Sequence, residues 1–169
     1  MLKFLSLFFF LIFSVSSFAS HVMGGEITWK CDGNNKYIFE LVFYRDCNGA
    51  EVNTLSENLR VWNHPTLTVI LLPFVSRIDI SPTCTAVSGG PTPLICGSGT
   101  SGGNGIGAIE KITYRSLPID IIGIPPSQGW VFTYENFARS NALTNITSPA
   151  TYGITLTANM FAHGNGVGC

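Results

Sequence analysis

Charge is scarce in this chain, and the scarcity removes whole classes of partner. Nine Lys and Arg stand against ten Asp and Glu, a net charge of −1. That leaves no basic footprint for nucleic acid and no positive patch for an anionic bilayer. A disordered tail is excluded too, because only 11% of the residues are charged and 46% are hydrophobic. Helical signals are missing: no window of about eleven residues keeps a 3.6-residue apolar period with a start and a stop, and helix amounts at most to a turn or two around Asn136–Ala142. Past residue 20 long apolar runs are missing as well. The longest, Thr66–Leu72, is bracketed by Pro65 and Pro73 and falls far short of the roughly eighteen residues of a membrane helix, so no membrane insertion of the mature chain is expected.

What hydrophobic excess there is lies at the start. Lys3 precedes the apolar run Phe4–Phe13, and Ser14-Val15-Ser16-Ser17-Phe18-Ala19-Ser20 follows, the layout of a secretory signal peptide. Ser17 and Ala19 place small residues at the two positions that guide cleavage, so the cut is expected between Ala19 and Ser20. Residues 1–19 then form the leader and 20–169 a single domain, secreted or held at the cell surface. The chain stops in the glycine-rich run Gly164–Cys169, and a continuation beyond residue 169 is expected.

The five cysteines, Cys31, Cys47, Cys84, Cys96 and Cys169, suit an oxidising compartment. Cys84 and Cys96 bracket the turn-rich segment Thr85–Ile95, and a disulfide between them would contribute about 3 kcal/mol by limiting the unfolded chain. The turn Asp32-Gly33-Asn34-Asn35 would put Cys31 opposite Lys36, far from Cys47, so Cys47 is expected to reach another loop.

Alternation of period two is the dominant pattern. Ile27, Trp29 and Cys31 interleave with polar residues, and Tyr37–Tyr44 is apolar on both sides, as a central strand would be. Leu59–Trp62, Leu67–Leu72, Arg77–Ile80, Ala108–Arg115, Trp130–Tyr134 and Tyr152–Ala158 follow, divided by turn formers. Such strands without an internal repeat predict an all-β protein, a two-sheet antiparallel sandwich of Ig-like type.

Few motifs carry chemistry. Gly97-Ser98-Gly99-Thr100-Ser101-Gly102 has dinucleotide-loop spacing but lacks the strand and helix that would aim its amides at a phosphate, so it reads as a loop. Metal readings are thin. No Cys-x-x-Cys pair occurs, and His163 near Cys169 is the one His–Cys spacing of interest. Asp46, Asn48 and Glu51 could offer oxygens to calcium, although turn formation explains them more simply. Cleavage after Ser20 instead would expose His21 as an N-terminal copper ligand with His64 or His163, the brace of copper oxygenases. The Ser17 and Ala19 signal argues against that cut. Asn145-Ile146-Thr147 is an N-glycosylation triplet by pattern. No nucleophile, base or cofactor loop stands out, so no catalytic residue and no cofactor is expected. Trp29, Trp62 and Trp130 could form a sugar-stacking platform, but strand tryptophans are more often core.

One resemblance covers the mature chain. Ser20–Cys31 (SHVMGGEITWKC), Val42–Gly49 (VFYRDCNG), Ile78–Cys84, Ile109–Arg115 and Arg139–Ala142 resemble the N-terminal region of large secreted surface proteins of gliding bacteria. Those proteins often end in a gliding-motility-associated type IX secretion sorting domain. The chain departs at Phe137-Ala138, where the family often has a Cys-Cys pair. The resemblance implies a β-rich surface protein of adhesive or motility-linked role, without catalytic activity, whose partner is a surface protein or a glycan. It carries over no binding residue. If the protein adheres, the loop Thr85–Gly107 is the expected contact surface.

Overall fold

The structure is a computed structural model describing residues 22–33, 36–52, 55–83, 93–97, 102–105, 107–137, 139–140 and 143–163. The expected leader with its expected cleavage site, His21, Cys84 and Cys169 lie outside the described residues. The protein is all-β. In chain order the strands are β1 (Val22–Cys31), β2 (Tyr37–Asp46), β3 (Ser56–Trp62), β4 (Val69–Asp79), β5 (Ile109–Arg115), β6 (Trp130–Phe137) and β7 (Gly153–Met160). A short 3-10 turn at Pro149–Thr151 precedes β7. Where the expected helical turn at Asn136–Ala142 is described it starts as strand. Asn136 and Phe137 pair with Ile154 and Gly153, because the alternation of Trp130, Phe132 and Tyr134 simply runs on.

The strands form one antiparallel sheet in the order β1-β2-β5-β4-β3-β6-β7. The pivot is β4, whose first half, Val69–Pro73, pairs with β3 and whose second, Phe74–Asp79, pairs with β5. Leu67–Leu72 and Arg77–Ile80 therefore belong to one strand, and Pro73 lies inside it rather than ending it. Proline is tolerated there because Pro73 is the last residue opposite β3, and the register with β5 shifts at a bulge between Phe74 and Ser76 just beyond it.

The sheet curls until its edges approach, giving a nearly barrel-shaped molecule. Val22 of β1 bridges Arg139 just past β6. At Gly25 a Cβ would lie 2.8 Å from Leu156 of β7 and 2.5 Å from the Val42 carbonyl oxygen, so only glycine lets the edges come this close. Inside, Phe39, Leu41 and Phe43 of β2 meet Ile112 and Tyr114 of β5, Leu72 of β4, Leu59 of β3 and Trp130 and Phe132 of β6. Phe39 packs on Phe132 with ring centroids 4.7 Å apart, and Phe43 lies between Tyr114 and Tyr134. Each such ring contributes about 2–3 kcal/mol by leaving water. As its two-sided pattern predicts, β2 is interior to the sheet, with Val42 and Thr113 buried on its outer side.

Strand directions define two ends. The connections 47–55, 80–108 and 138–152 leave and rejoin the sheet at one, and 32–36, 63–68 and 116–129 at the other, where β7 also ends.

Candidate functional site

Alternation carries charge into the barrel at the first of these ends. Arg45 continues the inward series Tyr37, Phe39, Leu41, Phe43, and Glu110 the series Ile112, Tyr114; the register sets the two opposite each other. Arg45 is 1% exposed and Glu110 3%. Arg45 Nε lies 3.0 Å from Glu110 Oε1, Arg77 Nε 3.3 Å from Oε2, and Arg77 Nη1 3.2 Å from Glu51 Oε1, a chain of charges running from interior to surface. Burial pushes the Glu110 carboxyl above its ordinary range, against the pull of Arg45 and Arg77. Burial likewise lowers Arg45. No well-aligned hydrogen bond joins Arg45 Nε to Glu110 Oε1, so charge more than direction holds them together.

A disulfide closes the same end. The expected Cys84–Cys96 bridge is not the one formed, since Cys96 is bonded to Cys47, 49 residues away with Cα atoms 5.5 Å apart. Register decides this. Cys47 directly follows β2, its N–H donates to the Ala108 carbonyl, and the Gly103 N–H donates to the Cys47 carbonyl. Cys96 pairs with Gly103 and is thereby brought alongside Cys47. Local loop closure favoured the nearer cysteine but carried no information about that pairing. Cys47 does reach another loop, and Cys31 is itself disulfide-bonded. Cys31 faces Tyr37 across the first hairpin, one residue from its expected partner Lys36.

The Cys96 N–H donates to Asp79 Oδ2 at 2.7 Å and the Ser81 N–H to Oδ1 at 2.8 Å. These bonds hold the Asp79 carboxyl below the usual range. Cys47, Cys96 and Glu110 place candidate ligand atoms within 4.8 Å of one another, but sulfurs bonded to each other offer no thiolate, and the cluster is a staple. Asp46, Asn48 and Glu51 do not converge on a cation site. Asp46 Oδ1 accepts from the Asn48 backbone and side-chain amides, Oδ2 accepts the Ser140 hydroxyl at 2.9 Å, and Glu51 turns to Arg77. Residues 98–101 of the glycine run lie outside the described residues; at its ends the Gly97 N–H donates to the Gly102 carbonyl at 2.7 Å, and among the described residues no helix follows. Of the expected contact loop Thr85–Gly107, residues 93–97, 102–105 and 107 are described.

The three tryptophans separate. Trp130 is buried, and Trp29 packs on Phe39 and Phe132. Trp62, by contrast, ends β3 on the outer face and is 45% exposed. Its Nε1–H donates to Thr133 Oγ1 on β6 at 3.0 Å, and the Arg60 guanidinium lies 5.2 Å from its ring centroid. His64 accepts the Thr66 and Leu67 amides at Nδ1 and packs against Trp130, so that nitrogen is occupied by its own turn. His163 is exposed after β7, and Asn145 is exposed on a bend.

Two features escaped the sequence. The buried charges were signalled by parity, Arg45 and Glu110 falling on apolar stripes, and the orientation of Trp62 by the exposed series Asn58, Arg60, Trp62. No family model, curated protein or solved structure matches the chain.

Proposed function

We propose that the chain is a non-enzymatic module of an exported protein, acting at the cell surface or outside the cell in adhesion or in surface attachment during gliding. The observation that supports this best is the Cys47–Cys96 disulfide, beside a bonded Cys31, because structural disulfides persist in oxidising compartments. The leader at residues 1–19 and the likeness to surface proteins of gliding bacteria agree with it. In this reading the architecture is an Ig-like sandwich drawn toward a barrel. Its layers, β1-β2-β5 and β3-β6-β7, share β4. The partner is a surface protein or a glycan, and no cofactor is needed.

A carbohydrate-binding role is the second reading, favoured by the exposure of Trp62 while Trp29 and Trp130 pack in the core. The copper-oxygenase reading requires His21 to be the first residue and falls if cleavage precedes Ser20. The test is expression of the full chain with its leader in a gliding bacterium. The expected product starts at Ser20, lies outside the cytoplasm with its disulfides formed, and its deletion reduces attachment of cells to surfaces. A reduced cytosolic chain, or attachment unchanged by deletion, overturns the proposal.

A further inference from the structure

The outer face of β3 and β6 combines three properties that rarely meet on a sheet. The first is a flat aromatic surface held in place. The hydrogen bond from Trp62 Nε1 to Thr133 Oγ1 crosses from β3 to β6 and fixes the indole, which stays 45% exposed while Thr133 is only 8% exposed although its strand position faces outward. A ring fixed before binding loses little freedom when a ligand stacks on it.

The second is polar capacity not already spent. Asn58, Arg60, Thr133 and Glu135, with Val69, line a shallow depression of about 260 Å³, and two of these residues, Arg60 and Thr133, touch the indole. The side chains of Asn58 and Glu135 have no hydrogen-bond or ion-pair partner among the described residues, and Arg60 is engaged with the Trp62 ring alone. The third is balance of charge and reach. Arg60 and Glu135 cancel, which favours a neutral ligand over an acidic one. The register also continues the row outward, from Val69 through Arg60 and Thr133 to Thr157, with Thr155 opposite Glu135. With neighbouring strands about 4.8 Å apart, this four-strand row extends about 14 Å, long enough for a short chain rather than a single small molecule.

A ligand that presents an apolar C–H face to an indole and a rim of hydroxyls to an amide, a guanidinium and a carboxylate is a pyranose ring. We infer that Trp62, with Asn58, Arg60 and Glu135, forms a binding site for a neutral polysaccharide, a stretch of linked hexoses lying across β3 and β6. The inference gives the surface-adhesion reading its ligand class and rests on that reading for its biological setting. The indole contributes dispersion and burial of the sugar's apolar face, and the three polar side chains fix its orientation through bonds that replace those to water.

The test uses the secreted, disulfide-bonded chain in affinity electrophoresis through gels containing soluble cellulose derivative, xylan, galactomannan, laminarin or alginate. At least one neutral polymer retards the wild type, and the acidic alginate does not. Trp62→Ala reduces retardation at least tenfold, and Arg60→Ala and Glu135→Ala each several-fold, with unchanged circular dichroism and thermal midpoint. Phe137→Ala, which removes another exposed ring, leaves retardation intact. Absence of retardation by every neutral polymer, retardation by alginate alone, or equal retardation of wild type and Trp62→Ala overturns the site. Cells whose attachment depends on the chain but is indifferent to Trp62→Ala would overturn the glycan site while leaving the adhesion reading in place.

Discussion

The two long connections at the ends of the barrel, 80–108 and 116–129, are held mainly by different means. At the stapled end, 47–55, 80–108 and 138–152 are tied by the Cys47–Cys96 bond, the Glu51–Arg77 ion pair, the Cys96 amide on Asp79, and the Ser140 hydroxyl on Asp46. At the other, the connection 116–129 is anchored from within. Ile121 is buried, Ile119 packs against the core and exchanges backbone hydrogen bonds with Tyr37 at 2.8 and 2.9 Å, and Gly123 and Gly129 take the positive φ angles its turns require. Leu117, Ile122 and Ile124 are left facing water, 75%, 80% and 67% exposed. Ordering a residue costs on the order of 1–2 kcal/mol in backbone entropy. A shorter connection can offset that by lowering apolar side chains into the core. The long connection 80–108 depends on covalent and ionic ties to the sheet.

The comparison breaks most visibly at the sulfurs. Cys47→Ser or Cys96→Ser should lower unfolding free energy by about 4 kcal/mol, the chain-entropy figure for a closed loop of this length, measured by urea titration of the oxidised protein. A disulfide map of the wild type should join Cys47 to Cys96; a peptide joining Cys84 to Cys96 instead would restore the pairing that loop closure suggested. The ionic tie comes next. Glu110→Gln keeps the shape but leaves two guanidinium groups without their shared carboxylate, one of them fully buried, and should cost about 3 kcal/mol. A cost below about 1 kcal/mol would make the chain of charges incidental to the staple.

Between the ends the seam can be tested at Gly25. Gly25→Ala places a methyl group against Leu156 and the Val42 carbonyl, and should cost about 2 kcal/mol by overpacking. This seam also marks how far sequence pattern reaches. Alternation located every strand, because period two is local and Phe39, Ile112 and Phe132 obey it without exception. It could not show that the halves of β4 serve different partners, since Pro73 carries the same residue-level signal whether it ends a strand or marks a change of neighbour. The disulfide was illegible for a related reason. Cys47 and Cys96 meet through the ladder around Gly103 and Ala108, and that pairing depends on a register no local stretch records. Charge on an apolar stripe was legible in principle, at Arg45 and Glu110, but single charged residues near strand ends usually mean a solvated edge.

A smaller effect separates the ends by acid. The folded-state carboxyl of Asp79 lies below its usual range, held first by the Cys96 amide and then by Ser81. Its contribution is therefore fully present above the unfolded value near pH 3.9 and disappears as pH falls through the lower folded value. Wild type should exceed Asp79→Asn in stability at neutral pH, and the difference should shrink on acidification below about pH 4. A difference constant with pH would assign the Asp79 bonds no ionic part.

The smallest expected effect lies at the opposite end. If Ile119 and Ile121 hold the 116–129 connection from inside, their exposed neighbours contribute nothing to that anchoring. Leu117→Ser, Ile122→Ser and Ile124→Ser should each change unfolding free energy by no more than about 0.5 kcal/mol, whereas Ile121→Ala should cost about 2–3 kcal/mol. Serine substitutions that cost as much as Ile121→Ala would mean that the outward aliphatics are packed in the working protein. The 116–129 connection would then be held by contact as firmly as 80–108 is held by a covalent bond, and the contrast between the two connections would reduce to a choice of chemistry.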